Sequence, residues 1–122
     1  MPEPTFGTLR TTVSGSLGTL TLARPERLNA LSRRTLIELA EAARWFDSQR
    51  DVRVVVVQGE GRSFSAGFDL DDFSTPDPEW SVRDTADLGR LMAEAVTGMT
   101  AITIAAIQGH CVGGGLVLAA SC

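Results

Sequence analysis

The sequence predicts an α/β domain, layered, with right-handed crossovers between its strands. Two short β-branched runs, "VRVVVVQG" and "ITIAAIQG", have the character of strands buried in a parallel sheet. Each follows a longer stretch whose apolar residues recur at helical spacing. The resulting order is hairpin, helix, strand, long loop, helix, strand, glycine turn, helix, an alternation that belongs to α/β folds.

Taken in order, "TLRTTVSGSLGTLTLARP" gives two short strands around the turn residues Ser14, Gly15 and Ser16, a β-hairpin. Ser32 is placed to cap a helix over "RRTLIELAEAARWFDS", where Leu36, Leu39, Ala40, Ala43 and Phe46 form a stripe expected to lie on a sheet. "VRVVVVQG" reads as a parallel strand covered on both faces and ended by Gly59. Residues 59 to 80 form a long connection containing Gly61, Gly67, Pro76 and Pro78, and connections of that length in a compact domain are usually functional or mobile. Ser81 with Asp84 three residues on is a capping signature. Leu88, Leu91, Met92, Ala95, Val96 and Met99 continue it as a second amphipathic helix that Gly98 helps to end. "ITIAAIQG" follows as another buried strand. The last segment, "LVLAASC", carries no stop signal, which leads us to expect the N-terminal part of a longer protein.

With 122 residues, 43% of them hydrophobic and 21% charged, the chain has the composition of one ordinary globular domain or part of one. The net charge is −4, there is no Lys, and the 11 Arg are scattered, which argues against a nucleic-acid surface. Cys111 and Cys122 are too few for a disulfide framework, and no Cys/His cluster stands at metal-ligand spacing, so no metal is expected and a reducing cytoplasm fits best. "MPEPTFG" has no export signature. The apolar stretch near the end is broken by Gln108, Gly109, His110 and three glycines, so no membrane span is expected.

Those glycines sit in "GHCVGGGLV", where they cost conformational entropy and make poor helix interior. Opening a helix, they present unpaired main-chain N–H groups at the positive end of its dipole, open to close approach. Such a place binds a phosphate or a developing oxyanion, although glycines there also permit close packing of helix on sheet. A partner is offered by "RSFSAGFDLDDF", in which Gly67 permits a tight bend and Asp69 is placed to cap the next short segment. One N–H donor from each loop would hold a carbonyl oxygen as it becomes negative.

The combination of "RPERLNAL", "SFSAGFDL" and "IQGHCVGGGL" resembles the crotonase superfamily, the enoyl-CoA hydratase/isomerase family. The resemblance runs from about Thr8 onward. It implies a crotonase-like ββα superhelix (the ClpP/crotonase fold), here truncated, with acyl-CoA thioesters as substrates, no separate cofactor, and homotrimeric or hexameric assembly. Carried over, the oxyanion hole falls on the N–H groups of Phe68 and Gly114. Leu28 and Ala30 fall on the coenzyme A channel, Ala66 where the backbone meets the adenine, and Asp69 and Leu70 complete that wall. Arg27 falls where a basic side chain meets the coenzyme's phosphates, or else is a solvated surface arginine.

Hydratases of this family use two glutamates, one for water and one for the proton. The first corresponds to Val117, which cannot transfer a proton, and the second would lie beyond Cys122. The resemblance therefore implies isomerase-like chemistry rather than a two-glutamate hydratase, with decarboxylation and thioester hydrolysis also open. The alternative is a non-catalytic acyl-CoA-binding protein or an inactive fragment. His110 reads as structural before catalytic, Cys111 as a small buried hydrophobe, and Asp71 and Asp72 as a solvated acidic turn. Ser65 lacks a GxSxG context, the GxGxxG fingerprint is absent, and a chain without Lys has no P-loop.

Overall fold

The computed structural model describes residues 2–74, 77 and 79–122, so Pro76 and Pro78 of the long connection lie outside the described residues. The hairpin forms as expected. Strands β1 (Leu9–Ser14) and β2 (Leu17–Leu22) pair antiparallel, with Leu9 opposite Leu22 and Ser14 opposite Leu17. Gly15 turns the chain between them at φ +60°, where a residue without Cβ is unstrained.

Strand β3 (Val54–Gly59) joins β2 in parallel and β4 (Ile102–Ala105) joins β3 in parallel, giving the order β1-β2-β3-β4. Parallel neighbours require long crossovers. The first is helix α1 (Arg33–Asp47); the second contains the short helix α2 (Leu70–Ser74) and the longer α3 (Val82–Thr97). Helix α4 (Gly114–Ser121) follows the glycine turn.

The helix boundaries follow local chemistry. The Ser32 hydroxyl accepts from the Thr35 N–H, and Ser81 with Asp84 forms a complete capping box. Helix α1 turns Leu36, Leu39, Ala43 and Phe46 inward, and the Phe46 ring lies against Gly18 of β2 so closely that a Cβ there would stand 2.6 Å from it. Helix α3 packs on α1 through Thr85, Leu88, Met92 and Val96. Leu91, expected in that stripe, is exposed: the buried line steps from Leu88 to Met92 to Val96 at intervals of four, and Leu91 falls to one side of it.

Two strand expectations need correction. In β3, Val55 and Val57 are buried but Val54 and Val56 only partly so, because one face of the sheet is less covered than the other. The stretch "ITIAAIQG" is a strand only over its first four residues, and Ile102 and Ile104 are 67% and 49% exposed. They stand in register with Val54 and Val56 of β3, so both pairs share the less covered face of the sheet.

Candidate functional site

The site is assembled from three connections laid side by side. The first follows β2. Arg24 leads into a 3-10 turn over Pro25–Arg27, after which Leu28 and Asn29 both adopt left-handed backbone, φ 51° and 55°. For Leu28 this conformation costs on the order of 1–3 kcal/mol, so the surroundings must hold it. Asn29 provides the hold: its Oδ1 accepts from Arg24 N at 2.9 Å, and its Nδ2 donates to the carbonyls of Glu60 and Ser63 at 2.9 Å each.

The second connection, after β3, pairs with the first on one side. Ala66 N donates to Leu28 O, Leu31 N to Gly67 O and Asp69 N to Leu31 O, all at 2.8 to 2.9 Å. On its other side it pairs with the third connection, after β4: Phe64 N donates to Gln108 O, Ser65 N to His110 O and Val112 N to Ser65 O. Ser65 is fully buried at the junction. Its hydroxyl donates to Asn29 O at 2.8 Å and accepts from Gly67 N at 3.2 Å, so it is a brace rather than a nucleophile.

This arrangement brings the two glycine loops together. Gly67 (φ +106°) and Gly113 (φ +53°) both need the freedom of a residue without Cβ. A Cβ on Gly67 would stand 3.1 Å from Val112 O and 3.5 Å from Gly114 N. Gly114 opens α4, and the Phe68 ring lies on it so closely that a Cβ there would meet three ring atoms at 2.9 Å. Among the described residues, neither the Phe68 N–H nor the Gly114 N–H donates to an acceptor. Two free main-chain donors on facing loops, one at a helix N-terminus, suit a developing negative oxygen.

Asp69, only 5% exposed, ties the first two connections together by its side chain. Its Oδ2 accepts from Arg24 Nη2 at 3.0 Å and its Oδ1 from Arg27 Nη2 at 3.4 Å, while Oδ1 also takes the N–H groups of Asp71 and Asp72 and so caps α2. Burial pushes the Asp69 carboxyl up, but the Arg24 hydrogen bond, the Asp72 N–H and the two guanidinium charges outweigh it and hold the pKa below the ordinary aspartate value. Arg27, about half exposed, is held above its ordinary value by its hydrogen bond to Asp71, then by the charges of Asp69 and Asp71.

The other sequence-derived residues take different stations. Leu28, Ala30 and Ala66 are half-buried along the junction, whereas Leu70 is 78% exposed at the start of α2. Val117 lies on α4, 42% exposed. His110 is exposed, with its N–H toward Ser63 Oγ at 3.4 Å, and Cys111 is half-buried against the core rather than enclosed in it. Asp72 does not stand free in solvent as an acidic turn would: it accepts from the main chain and guanidinium of Arg33.

Beside the Phe68 ring opens a cavity of about 730 Å³ lined chiefly by Phe68, Phe73, Trp80, Val82, Thr85 and Arg33. A more polar recess of about 420 Å³ adjoins it, with Arg24, Arg27, Arg33, Asp69 and Asp71 in its walls. Arg24, Asn29 and Arg33 were not marked by the sequence. Only Asn29 carries a local signal, since Asn is the residue that most readily enters left-handed backbone after glycine.

No helix among the described residues is long and apolar enough to cross a membrane. The family model for enoyl-CoA hydratase/isomerase matches residues 12–122. A mevalonyl-coenzyme A hydratase of Aspergillus fumigatus is 35% identical over 103 residues, covering 84% of this chain and 38% of that protein. A peroxisomal Delta(3,5)-Delta(2,4)-dienoyl-CoA isomerase of Arabidopsis thaliana is 33% identical over 129 residues, 97% of this chain and 46% of that protein. Among solved structures, an enoyl-CoA hydratase/carnithine racemase from Magnetospirillum magneticum superposes with a TM-score of 0.89 at 33% identity, covering 97% of this chain and 45% of that one. The chain thus spans less than half the length of these relatives, and what it shares with them is the crotonase fold in truncated form. With the two glycine loops, the "RLNAL" segment and the sheet order all in place, the chain belongs to the enoyl-CoA hydratase/isomerase family.

Proposed function

We propose that the whole protein is an enzyme acting on acyl-CoA thioesters, and that the N–H groups of Phe68 and Gly114 hold the thioester oxygen during reaction. The observation that carries this is the pair of unpartnered donors on loops close enough for a Gly67 Cβ to reach within 3.5 Å of Gly114 N. Removal of a proton beside the thioester sends its electron pair toward the carbonyl oxygen, and two preorganised N–H donors lower that barrier without needing to reorganise. The acyl group occupies the cavity beside Phe68, while coenzyme A runs past Leu28, Ala30, Ala66, Asp69 and Leu70 with Arg27 toward its phosphates.

The reaction is isomerase-like: the proton leaves one carbon and returns at another, with a single base. Val117 supports this, since a valine stands where a two-glutamate hydratase would carry an acid/base group. The names of the dienoyl-CoA isomerase and of the hydratases among the relatives support a thioester substrate. Assembly as a homotrimer or hexamer and a cytoplasmic location belong to the same reading. The exposed Ile102, Ile104 and Leu116 support burial of apolar side chains against further protein.

Val117 also favours a second reading, a binding protein that keeps the donors without turnover. The two are separated by incubating full-length protein with a saturated acyl-CoA in heavy water. Exchange of the α-protons, lost in Gly114→Pro, supports enolate stabilisation. Tight binding without exchange supports the non-catalytic reading, and exchange undiminished in Gly114→Pro rules out Gly114 as an oxyanion donor.

A further inference from the structure

We infer that the acyl group carries a neutral oxygen, a hydroxyl or carbonyl, beyond its thioester, and that Arg33 recognises it. The inference rests on the acyl-CoA reading above and names the substrate class of that same site. The cavity beside Phe68 is walled mainly by apolar side chains, yet the Arg33 guanidinium reaches its lining while only 12% exposed. A buried guanidinium is costly unless its donors are satisfied.

Arg33 satisfies some of them. Its Nε donates to Thr85 Oγ1 at 3.1 Å, its Nη1 to Asp72 Oδ1 at 3.4 Å, and it lies over the Phe73 ring with 5.8 Å to the centroid. Among the described residues, its Nη2 donates to no acceptor. The side chain is therefore held by Asp72 and Phe73 of α2 and by Thr85 of α3, with donor capacity left over where the apolar cavity meets the polar recess.

Charge decides which oxygen suits it. Asp72 already matches the Arg33 charge, and Asp77 also lines the cavity. A ligand carboxylate would add a further negative charge beside two aspartates, whereas a hydroxyl or carbonyl accepts a charge-assisted hydrogen bond without that repulsion. The position also fits. Leu31, two residues before Arg33, is bridged to Phe68, so the donor near the thioester and the Arg33 donor on the cavity wall are set by one stretch of chain. Arg33 would thus fix specificity and would not be a catalytic residue.

Calorimetric titration of the full-length protein with three acyl-CoAs of equal chain length tests this: a saturated acyl-CoA, its ω-hydroxy analogue and its ω-carboxy analogue. The hydroxy compound is expected to bind about tenfold more tightly than the saturated one, the worth of one hydrogen bond to a charged donor, with the carboxy compound weaker than the hydroxy. Arg33→Met should abolish the hydroxy advantage while the saturated compound still binds. If Arg33→Met fails to fold, Arg33→Lys, which keeps the charge but not the fork of donors, should cut the advantage at least about threefold. A wild-type protein that binds the hydroxy and saturated compounds alike overturns the inference, as does an advantage that survives both substitutions. Failure of all three compounds to bind would overturn the acyl-CoA reading itself.

Discussion

Arg24 and Asp69 meet at 3.0 Å, Nη2 to Oδ2, with side-chain exposures of 20% and 5%. The pair joins the segment after β2 to the loop that carries the Phe68 N–H, and Arg24 Nη1 adds a bond to Ala30 O at 2.6 Å. Removing one member leaves the other charge buried. Arg24→Met should therefore destabilise full-length protein by about 2–4 kcal/mol, toward the lower end because Arg27 still faces Asp69. Chemical denaturation against wild type measures this, and a loss below about 0.5 kcal/mol would show the pair to be dispensable.

Acid should unfold the protein partly through two carboxylates. Asp69 and Glu38 both have folded pKa values below their ordinary ones. In Glu38, burial raises the pKa, but the Thr8 hydroxyl, the Gly7 and Thr8 N–H groups and Arg34 together more than offset it. A depressed folded pKa contributes stability that is complete above the unfolded value and lost as pH falls through the folded one. Stability should accordingly hold from neutrality down to about pH 4, where unfolded carboxyls titrate, and fall below it. Melting temperatures followed across this range should show a shallower acid loss in Asp69→Asn than in wild type.

Much of this framework is legible in the residues themselves. The caps at Ser32 and Ser81, the turn at Gly15 and the helix opened by Gly114 follow from local hydrogen-bonding and backbone preference, which act within a few residues. What escapes is long-range. Arg24 finds Asp69 across 45 positions and Arg33 finds Thr85 across 52, and no spacing rule marks either pair. The exposure of Ile102 and Ile104 escapes for another reason: a β-branched run reports that a strand forms, not whether both its faces are covered.

Asn29→Ala should cost about 2–4 kcal/mol. It removes donors to the Glu60 and Ser63 carbonyls, leaves Ser63 O buried without that partner, and places alanine at φ 55°. Asn29→Gly relieves only the backbone part, so it should fall between alanine and wild type in denaturant midpoint.

Gly114→Ala sets a Cβ at 2.9 Å from the Phe68 ring. The ring is the far end of a side chain and can move, so a stability loss of about 1–2 kcal/mol is expected. Turnover should suffer more than stability, because the displaced ring moves into the cavity proposed for the acyl group. Paired measurements of melting temperature and kcat/KM on full-length protein test this, and equal small effects on both would contradict it.

Because both proposed donors belong to the main chain, the electrophile-activating part of the site is indifferent to which side chains surround it. Phe68 and Val117 can each be exchanged while an N–H remains in place, provided that Gly67, Gly113 and Gly114 keep their backbone free of Cβ. Reprogramming this scaffold would then be a matter of point substitutions around a fixed anion receptor. A library varied at Phe68, Phe73, Trp80, Arg33 and Val117, with the three glycines left untouched, is where new acyl-CoA activities should be sought first.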